Sequence, residues 1–153
     1  MNSFIADVSV IGELKKIASD SNGVIAPETV VLVARDPNSV LHRFFEWDDT
    51  AAAEKWRIEQ ARRLLQITVE YIQVGSREPI RVRAFHSLKS DRENGGYRLT
   101  VDVLQDQDMR NQMLQDAIDD LMSFRKKYKE LKELTKVFEA IDAVVGGGEQ
   151  IVK

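Results

Sequence analysis

The spacing of apolar residues changes twice along the chain. As far as residue 66 the apolar positions recur every three or four residues, from 67 to 103 they alternate with polar ones, and after 105 the wider spacing returns. The wider spacing is typical of helices and the alternation of strands. The pattern predicts an α+β protein in four parts: a helical subdomain (1–66), an antiparallel β-meander (67–104), a long oligomerisation helix (105–145) and a flexible tail (146–153).

Turn and cap residues divide the first part into four predicted helices, at 11–21, from 27, from 39 and at 49–66. These residues are Asn22-Gly23, Pro27, Asp36-Pro37 and Ser39. Residues 1–10 form a strand, a short helix or a tail that docks on a partner. Short helices joined by tight turns fit a helix-turn-helix-like module that contacts DNA, or a purely structural subdomain. The basic residues available to such a module are Lys15, Lys16, Arg35 and Arg43.

The fourth helix carries charges on its apolar face. Asp48 and Asp49 are predicted to cap it. Glu54 and Arg57 fall among the apolar positions Ala51, Ile58, Ala61, Leu64 and Leu65. Buried charges need partners. Either Arg57 is paired with Glu54 or Glu46, or this face meets another molecule. Trp56 lies off the stripe, toward Arg63, and is predicted to cover the edge of the core with Phe44, Phe45 and Trp47.

Three strands are predicted in the middle of the chain, at 67–72, 79–85 and 97–103. Their connections, a turn at 75–78 and a polar loop at 89–96, are too short for parallel crossovers. A three-stranded antiparallel sheet follows.

The last helix has an apolar stripe that exceeds what a small domain can cover. At 1.5 Å per residue it would reach about 55 Å. Its acidic residues come first and its basic residues later, so an antiparallel pair of copies would bring opposite charges together. We therefore expect a homo-oligomer, a dimer or higher, built as a coiled coil or helix bundle. The alternative is that the helix folds back over the sheet. The predicted interaction residues are Trp47, Trp56, Arg57, Leu121, Phe124, Tyr128 and Leu131.

Composition narrows the functional classes. The 153 residues are 43% hydrophobic and 31% charged, with a formal net charge of −3 and no cysteine. The absence of cysteine excludes disulfides and zinc–thiolate sites and fits a cytoplasmic protein. The sequence contains no apparent signal peptide and no apolar run long enough for a membrane span. Any nucleic-acid binding must use a local basic patch, because the net charge gives no global attraction.

Such a patch is predicted in the strand region, where basic residues exceed the acidic Glu78, Asp91, Glu93 and Asp102. Basic side chains interleaved with an aromatic residue can bind phosphates and stack on bases. The alternative is a solvated sheet face with cross-strand ion pairs. The candidate nucleic-acid-binding residues are Arg77, Arg81, Arg83, Phe85, Lys89 and Arg98.

No catalytic motif is recognisable. His42, Glu46, Asp48, Asp49 and His86 could in principle hold a divalent metal, but helix capping explains the same aspartates. The glycines at 146–148 follow a helix instead of opening one, unlike a phosphate-binding loop. We expect no enzymatic activity, cofactor or metal.

The first half of the chain also contains a recognisable set of short motifs. They are Asn22-Gly23, Pro27-Glu28, Val30-Val31, Ala34 to Pro37, Leu41-His42, Phe44 to Asp49, Ala52-Ala53, Arg57 and Gln60 to Arg62. Through these residues the first half resembles a family of small uncharacterised proteins encoded by bacteriophages and prophages, and the second half resembles it in outline. The resemblance implies a phage or prophage origin and the cytoplasm of a bacterial host cell. It brings no activity and no catalytic residue.

These expectations combine into one hypothesis and one alternative. The hypothesis is a non-enzymatic, phage- or prophage-encoded DNA-associated protein that acts as a homo-oligomer. The alternative is a protein-interaction module, either a virion assembly factor or an inhibitor of a host protein.

Overall fold

The computed structural model describes residues 4–5, 7–48, 51–73 and 75–148. They have an α+β architecture, as predicted, and divide into two compact units, Met1–Met109 and Arg110–Lys153. Within the described residues no helix has both the length and the apolar character that a bilayer crossing requires.

Three helices build most of the core of the first unit: α1 (Val8–Asp20), α2 (Pro27–Ala34) and α3 (Ala51–Ile67). The buried apolar cluster draws mainly on them and is completed by side chains from the loops and strands. Its largest fully buried members include Leu14, Val30, Leu41, Leu65 and Phe85.

The predicted ends of the first helices are confirmed. Asn22 and Gly23 follow α1 with φ of 55° and 82°, and the Gly23 N–H donates to the Ala18 carbonyl at 2.7 Å. This is the left-handed stop expected of these residues. Pro27 is the first residue of α2.

The predicted third helix is only a 3₁₀ turn, His42–Phe44. Ser39 was predicted to cap this helix, but Leu41 precedes the turn and no described side chain caps it. The Ser39 hydroxyl instead accepts from the Leu41 N–H at 3.1 Å. Glu13 of α1 fixes this loop by accepting from the Ser39 hydroxyl (2.9 Å) and the Val40 N–H (3.1 Å).

The start of the chain and the cap of α3 are only partly described. A two-residue strand, β1 (Phe4–Ile5), runs parallel to β2 (Thr68–Ile72), and α1 begins three residues earlier than predicted, at Val8. Residues 1–3 and 6 lie outside the described residues, as does Asp49, one of the two aspartates predicted to cap α3.

The prediction of one three-stranded antiparallel meander is wrong. β2 pairs antiparallel with β3 (Ile80–Arg83), whereas β4 (Phe85–His86) pairs antiparallel with β5 (Arg98–Leu99) in a second sheet. Ala84 lies at the junction: its N–H donates to the Thr68 carbonyl and its carbonyl accepts from the Thr100 N–H, both at 2.9 Å.

The second sheet is short because the chain turns helical at both sides of it. The predicted third strand becomes α5 (Thr100–Gln105) after two residues, and the intervening loop contains a single helical turn, α4 (Lys89–Arg92). Thr100 and Val103, three residues apart, are both buried. Spacing of three puts both on one face of a helix, so alternation alone misassigned this segment.

The predicted long C-terminal helix is present as α6 (Gln107–Lys127), but it ends earlier than predicted. Asp106 caps it through a 2.8 Å bond from the Met109 N–H. A 3₁₀ turn (Lys132–Leu134) then leads to α7 (Thr135–Gly148). The interruption at residues 128–134 coincides with two consecutive apolar spacings of three, from Tyr128 to Leu131 and from Leu131 to Leu134. Residues 146–148, predicted to begin the tail, complete α7, and 149–153 lie outside the described residues.

Candidate nucleic-acid interface

The structure does not gather the six predicted nucleic-acid-binding residues on one face. Arg81 and Arg83 are exposed on β3, and Arg77 is exposed in the turn before it. The other three lie on separate elements, Phe85 on β4, Lys89 at the start of α4 and Arg98 on β5.

Phe85 was wrongly predicted to be an outward-facing stacking residue. Its side chain is 1% exposed, and the neighbouring Ala84 is buried as well. Strict alternation would place adjacent residues on opposite faces. The bend at Ala84 interrupts the alternation, so the side chain of Phe85 also lies in the core and is inaccessible to a base.

Arg98 is held by an ion pair inside the protein. Its Nε donates to Asp91 Oδ2 at 2.7 Å and its second terminal nitrogen donates to Oδ1 at 2.8 Å. This two-pronged hydrogen bonding to Asp91 raises the pKa of the Arg98 guanidinium. Asp91 is buried and Arg98 partly so. The pair links β5 to α4. If Arg98 instead bound a phosphate, the buried carboxylate of Asp91 would lose its ion-pair partner, which is costly.

Arg83 of β3 lines a groove that it shares with α3. The groove is open to solvent, has a volume of about 710 Å³, and includes α3 side chains that sequence reasoning did not select. Its lining residues are Phe44, Trp56, Glu59, Gln60, Arg62, Arg63, Leu64, Gln66, Ile67 and Arg83.

The groove carries an excess of positive charge. Of its three arginines, Arg62 forms an ion pair with Glu59, the one carboxylate in the lining. Within the described part of the chain, Arg63 and Arg83 have no ion-pair partner. The surplus is therefore two positive charges in a concave surface, an arrangement that attracts anions.

Trp56 forms part of the groove instead of covering the core. Its side chain is 53% exposed, so the prediction that it packs on the core edge with Phe45 and Trp47 is wrong. Phe44 does share the groove lining with it. The sequence did contain a signal, because Trp56 and Arg63 are seven residues apart and therefore lie on the same side of α3. What the sequence could not show is that Arg83 joins them.

Trp47, by contrast, belongs to a structural cluster. Its ring stacks on His42 at 4.8 Å and 9°, and its Nε1–H donates to the His42 carbonyl at 3.0 Å. The guanidinium groups of Arg35 and Arg57 lie 5.8 and 5.4 Å from the ring centre, at cation–π distance.

Arg57 is buried in this cluster, with 3% exposure, and its predicted ion pair with Glu54 is present. Two of its nitrogens donate to Glu54 Oε2 at 3.0 and 3.2 Å, and a third bond reaches the Glu46 carbonyl at 3.2 Å. Arg35 donates to the same Glu54 oxygen at 2.6 Å. The hydrogen bond from Arg57 is the largest cause of the lowered pKa of Glu54. The cluster ties α2, α3 and the intervening loop together.

The possible metal ligands that the structure describes are not arranged as a metal site. The Nδ1 of His42 is 2.8 Å from the Ala34 carbonyl, and its ring is covered by Trp47. Asp49 lies outside the described residues. Among the residues that are described, no three histidine or carboxylate side chains converge as a cation would require.

The second unit contains the other predicted interaction residues. The ring of Phe124 in α6 lies 5.0 Å from that of Tyr128, the residue that follows α6, and 6.4 Å from that of Phe138 in α7, measured between ring centres. Arg125 of α6 forms a 2.8 Å ion pair with Asp142 of α7. These contacts join α6 to α7. Much of the remaining apolar surface of this unit is exposed, namely Leu114, Leu121 and Met122 of α6, Leu131 of the connecting segment, and Val137 and Val144 of α7.

Comparison with protein-family models, curated proteins and solved structures finds no match to this chain.

Proposed function

We propose that this chain is a non-enzymatic, DNA-associated protein of phage or prophage origin that acts as a homo-oligomer in the cytoplasm of a bacterial host. One observation carries the proposal: Arg63 and Arg83, without ion-pair partners in the described part of the chain, line one open groove together with the exposed Trp56. Cationic side chains in a concave surface are suited to a phosphate backbone.

The proposal places the contact on the groove instead of on a helix-turn-helix-like pair. α2 would be the recognition helix of such a pair, yet it contains no lysine or arginine. Of the basic residues near it, Lys15 is paired with Glu70 at 2.7 Å and Arg35 with Glu54. The groove includes one of the basic strand residues predicted to bind nucleic acid, Arg83. Arg81 and Arg77 are exposed further along the same hairpin, outside the groove lining.

Two unpaired arginines give weak binding on their own. Each phosphate contact contributes a slope of about −0.7 to −0.9 in log K against log salt concentration, so one subunit should show a slope of about −1.4 to −1.8. Copies joined in an oligomer bind the same DNA through several grooves, which raises the apparent affinity by orders of magnitude. The oligomer is therefore part of the proposed mechanism.

The exposed apolar surface of α6 and α7 supports self-association. Along α6 the acidic residues Asp116, Asp119 and Asp120 precede the basic run Arg125 to Lys127. Two copies of α6 in antiparallel contact would bury Leu114 and Leu121 and place opposite charges beside each other.

A charge-reversal experiment tests the DNA contact. Fluorescence anisotropy with labelled DNA at low salt compares the parent protein with the double variant Arg63→Glu/Arg83→Glu. The matched control, Lys16→Glu/Lys55→Glu, makes the same change in net charge on exposed residues that lie outside both the groove lining and α6. We expect the groove variant to lose at least tenfold in affinity and the control less than twofold. No binding by the parent, or an equal loss in the control, refutes the proposal.

Light scattering tests the oligomer. We expect a mass at least twice that of the 17.4 kDa chain. Leu121→Asp should shift the mass toward one chain, whereas Leu32→Asp, the same change at an exposed position of α2, should not. A parent protein that remains at 17.4 kDa at high concentration contradicts this part of the proposal.

A second candidate function is that of a protein-interaction module, either a virion assembly factor or an inhibitor of a host protein. The same exposed apolar residues of α6 and α7 favour it, since surfaces of this kind mark protein–protein contacts. It predicts a stoichiometric, nuclease-insensitive complex with a defined host or virion protein, lost in Leu121→Asp and unaffected by Arg63→Glu/Arg83→Glu. A DNA affinity that depends on the two arginines, with no such complex, argues for the first candidate.

A further inference from the structure

We infer that the groove binds single-stranded DNA, with a base stacked on Trp56 and the backbone phosphates on Arg63 and Arg83. The inference rests on the proposed DNA association and specifies which form of DNA is bound and which side chain contacts the base.

The two tryptophans of the chain differ in what occupies their rings. The ring of Trp47 is stacked on His42, approached by two guanidinium groups and fixed by a hydrogen bond from its Nε1. In the described structure, Trp56 has neither a ring-stacking nor a cation–π contact, and half of its side chain faces solvent. An exposed tryptophan is uncommon on a soluble protein unless it contacts a partner.

The placement of Trp56 relative to the arginines suits a nucleotide strand. Trp56 and Arg63 are seven residues apart on α3, about 10.5 Å along the helix axis, on the same side of the helix. Arg83 lines the same groove from β3. A strand that places a base on Trp56 thus has cationic side chains within reach of its neighbouring phosphates. Stacking platforms beside basic residues are the usual means of holding single strands.

The groove also presents amides that can bond the edges of an unpaired base. Gln60 accepts the Glu46 N–H through its Oε1 at 3.4 Å, and Gln66 donates to the Tyr97 hydroxyl through its Nε2 at 3.2 Å. The opposite end of each amide, a donor in Gln60 and an acceptor in Gln66, has no partner among the residues described. Both hydrogen-bonding types are therefore available to a base.

A duplex fits this arrangement poorly. Its bases are paired and stacked on one another, so their faces are closed to Trp56. The groove volume of about 710 Å³ lies in the range of small-ligand sites, which suits individual nucleotides better than a double helix. Single-stranded DNA offers both the open base face and the phosphate charge.

The test uses the full-length protein and three probes of equal length: a single-stranded oligo-dT, a DNA duplex and oligo-rU. Affinities are measured by anisotropy at low salt for the parent, Trp56→Ala, Trp56→Phe and Tyr71→Ala. Tyr71 is an exposed aromatic residue of β2 outside the groove lining, so it controls for the loss of an exposed ring. Circular dichroism checks that each variant is folded.

We expect oligo-dT to bind at least tenfold more tightly than the duplex. Trp56→Ala should lose roughly tenfold in oligo-dT affinity, the order of magnitude of one base–aromatic stack, with Trp56→Phe retaining most of it and Tyr71→Ala all of it. Unlabelled oligo-dT should quench the intrinsic tryptophan fluorescence of the parent. In Trp56→Phe, where Trp47 is the remaining tryptophan, binding should persist without that quenching.

The outcomes separate this inference from the proposed function. Equal binding of duplex and oligo-dT, unaffected by Trp56→Ala but abolished by Arg63→Glu/Arg83→Glu, overturns the single-strand inference and keeps the DNA association. Tenfold tighter binding of oligo-rU than of oligo-dT overturns the assignment to DNA. Failure of all three probes to bind the parent overturns both.

Discussion

Replacing Arg57 by methionine should destabilise the fold more than any comparable change at an exposed arginine of α3. Methionine keeps the helix propensity and fills part of the volume, so the substitution removes mainly the guanidinium. Arg57 is 3% exposed and its nitrogens bond Glu54 and the Glu46 carbonyl. Arg62→Met is the matched control, since Arg62 lies on the same helix in a more exposed pair with Glu59.

The magnitude follows from which groups lose their partner. Glu54 keeps the 2.6 Å bond from Arg35 and is half exposed, so its charge is not stranded. The Glu46 carbonyl loses a bond to a charged donor, about 1.5–3 kcal/mol. Trp47 loses one of its two cation–π partners, about 0.5–1 kcal/mol. Relief of guanidinium desolvation offsets part of this loss, which leaves a destabilisation of about 2–3 kcal/mol.

Urea unfolding followed by circular dichroism at 222 nm measures this difference, provided the slope with denaturant is unchanged. At roughly 2–4 °C per kcal/mol, the melting temperature of a chain of this size should fall by about 4–12 °C. Arg62→Met should cost less than about 0.5 kcal/mol, as exposed ion pairs do. If Arg57→Met matches Arg62→Met or exceeds the parent in stability, desolvation outweighs the hydrogen bonds and the reasoning about the cluster fails.

Three further predictions concern the same elements. The pKa of Glu54 is lowered below its ordinary value of 4.5, so the carboxylate contributes its full stabilisation above pH 4.5 and loses it as the pH falls through the lower pKa of the folded state. The difference in unfolding free energy between the parent and Glu54→Gln, measured with urea, should therefore become smaller at acidic pH. A difference that stays constant with pH would contradict the lowered pKa. Gly23→Ala should cost about 1–2 kcal/mol, because Gly23 has φ of 82°; Gly12→Ala, within α1 and with open space around the added methyl, should be neutral or stabilising, and equal effects in thermal unfolding would refute the backbone argument. Arg98→Met should lower the melting temperature because it breaks the ion pair with Asp91, and the folded variant should bind DNA with unchanged affinity in the anisotropy assay. A loss of DNA affinity without a loss of stability would show that Arg98 contacts DNA.

The features that were predictable from sequence are the ones that depend on neighbours along the chain. The helix stop at Asn22-Gly23 and the helix start at Pro27 each depend on the backbone within a few residues, so residue type alone identifies them. The pair of Glu54 and Arg57 is also local, since three residues separate them on one helix.

The features that were missed depend on contacts between distant segments. β1 adds to the sheet in parallel, and the break at Ala84 depends on bonds to Thr68 and Thr100, sixteen residues away on either side. No local pattern shows where such a bond forms. The burial of Phe85 and the engagement of Arg98 with Asp91 are consequences of that break and of the turn at α4.

The candidate site changed for the same reason. Alternation along one strand suggested a basic sheet face, yet the cationic surface that the structure offers combines one strand residue, Arg83, with residues of α3. Arg63 and Trp56 were visible as a pair on one side of that helix. The groove forms because β3 pairs with β2, the strand that directly follows α3, which places Arg83 opposite Val69. Its surplus of positive charge arises because its one carboxylate, Glu59, pairs with Arg62 alone among the three arginines.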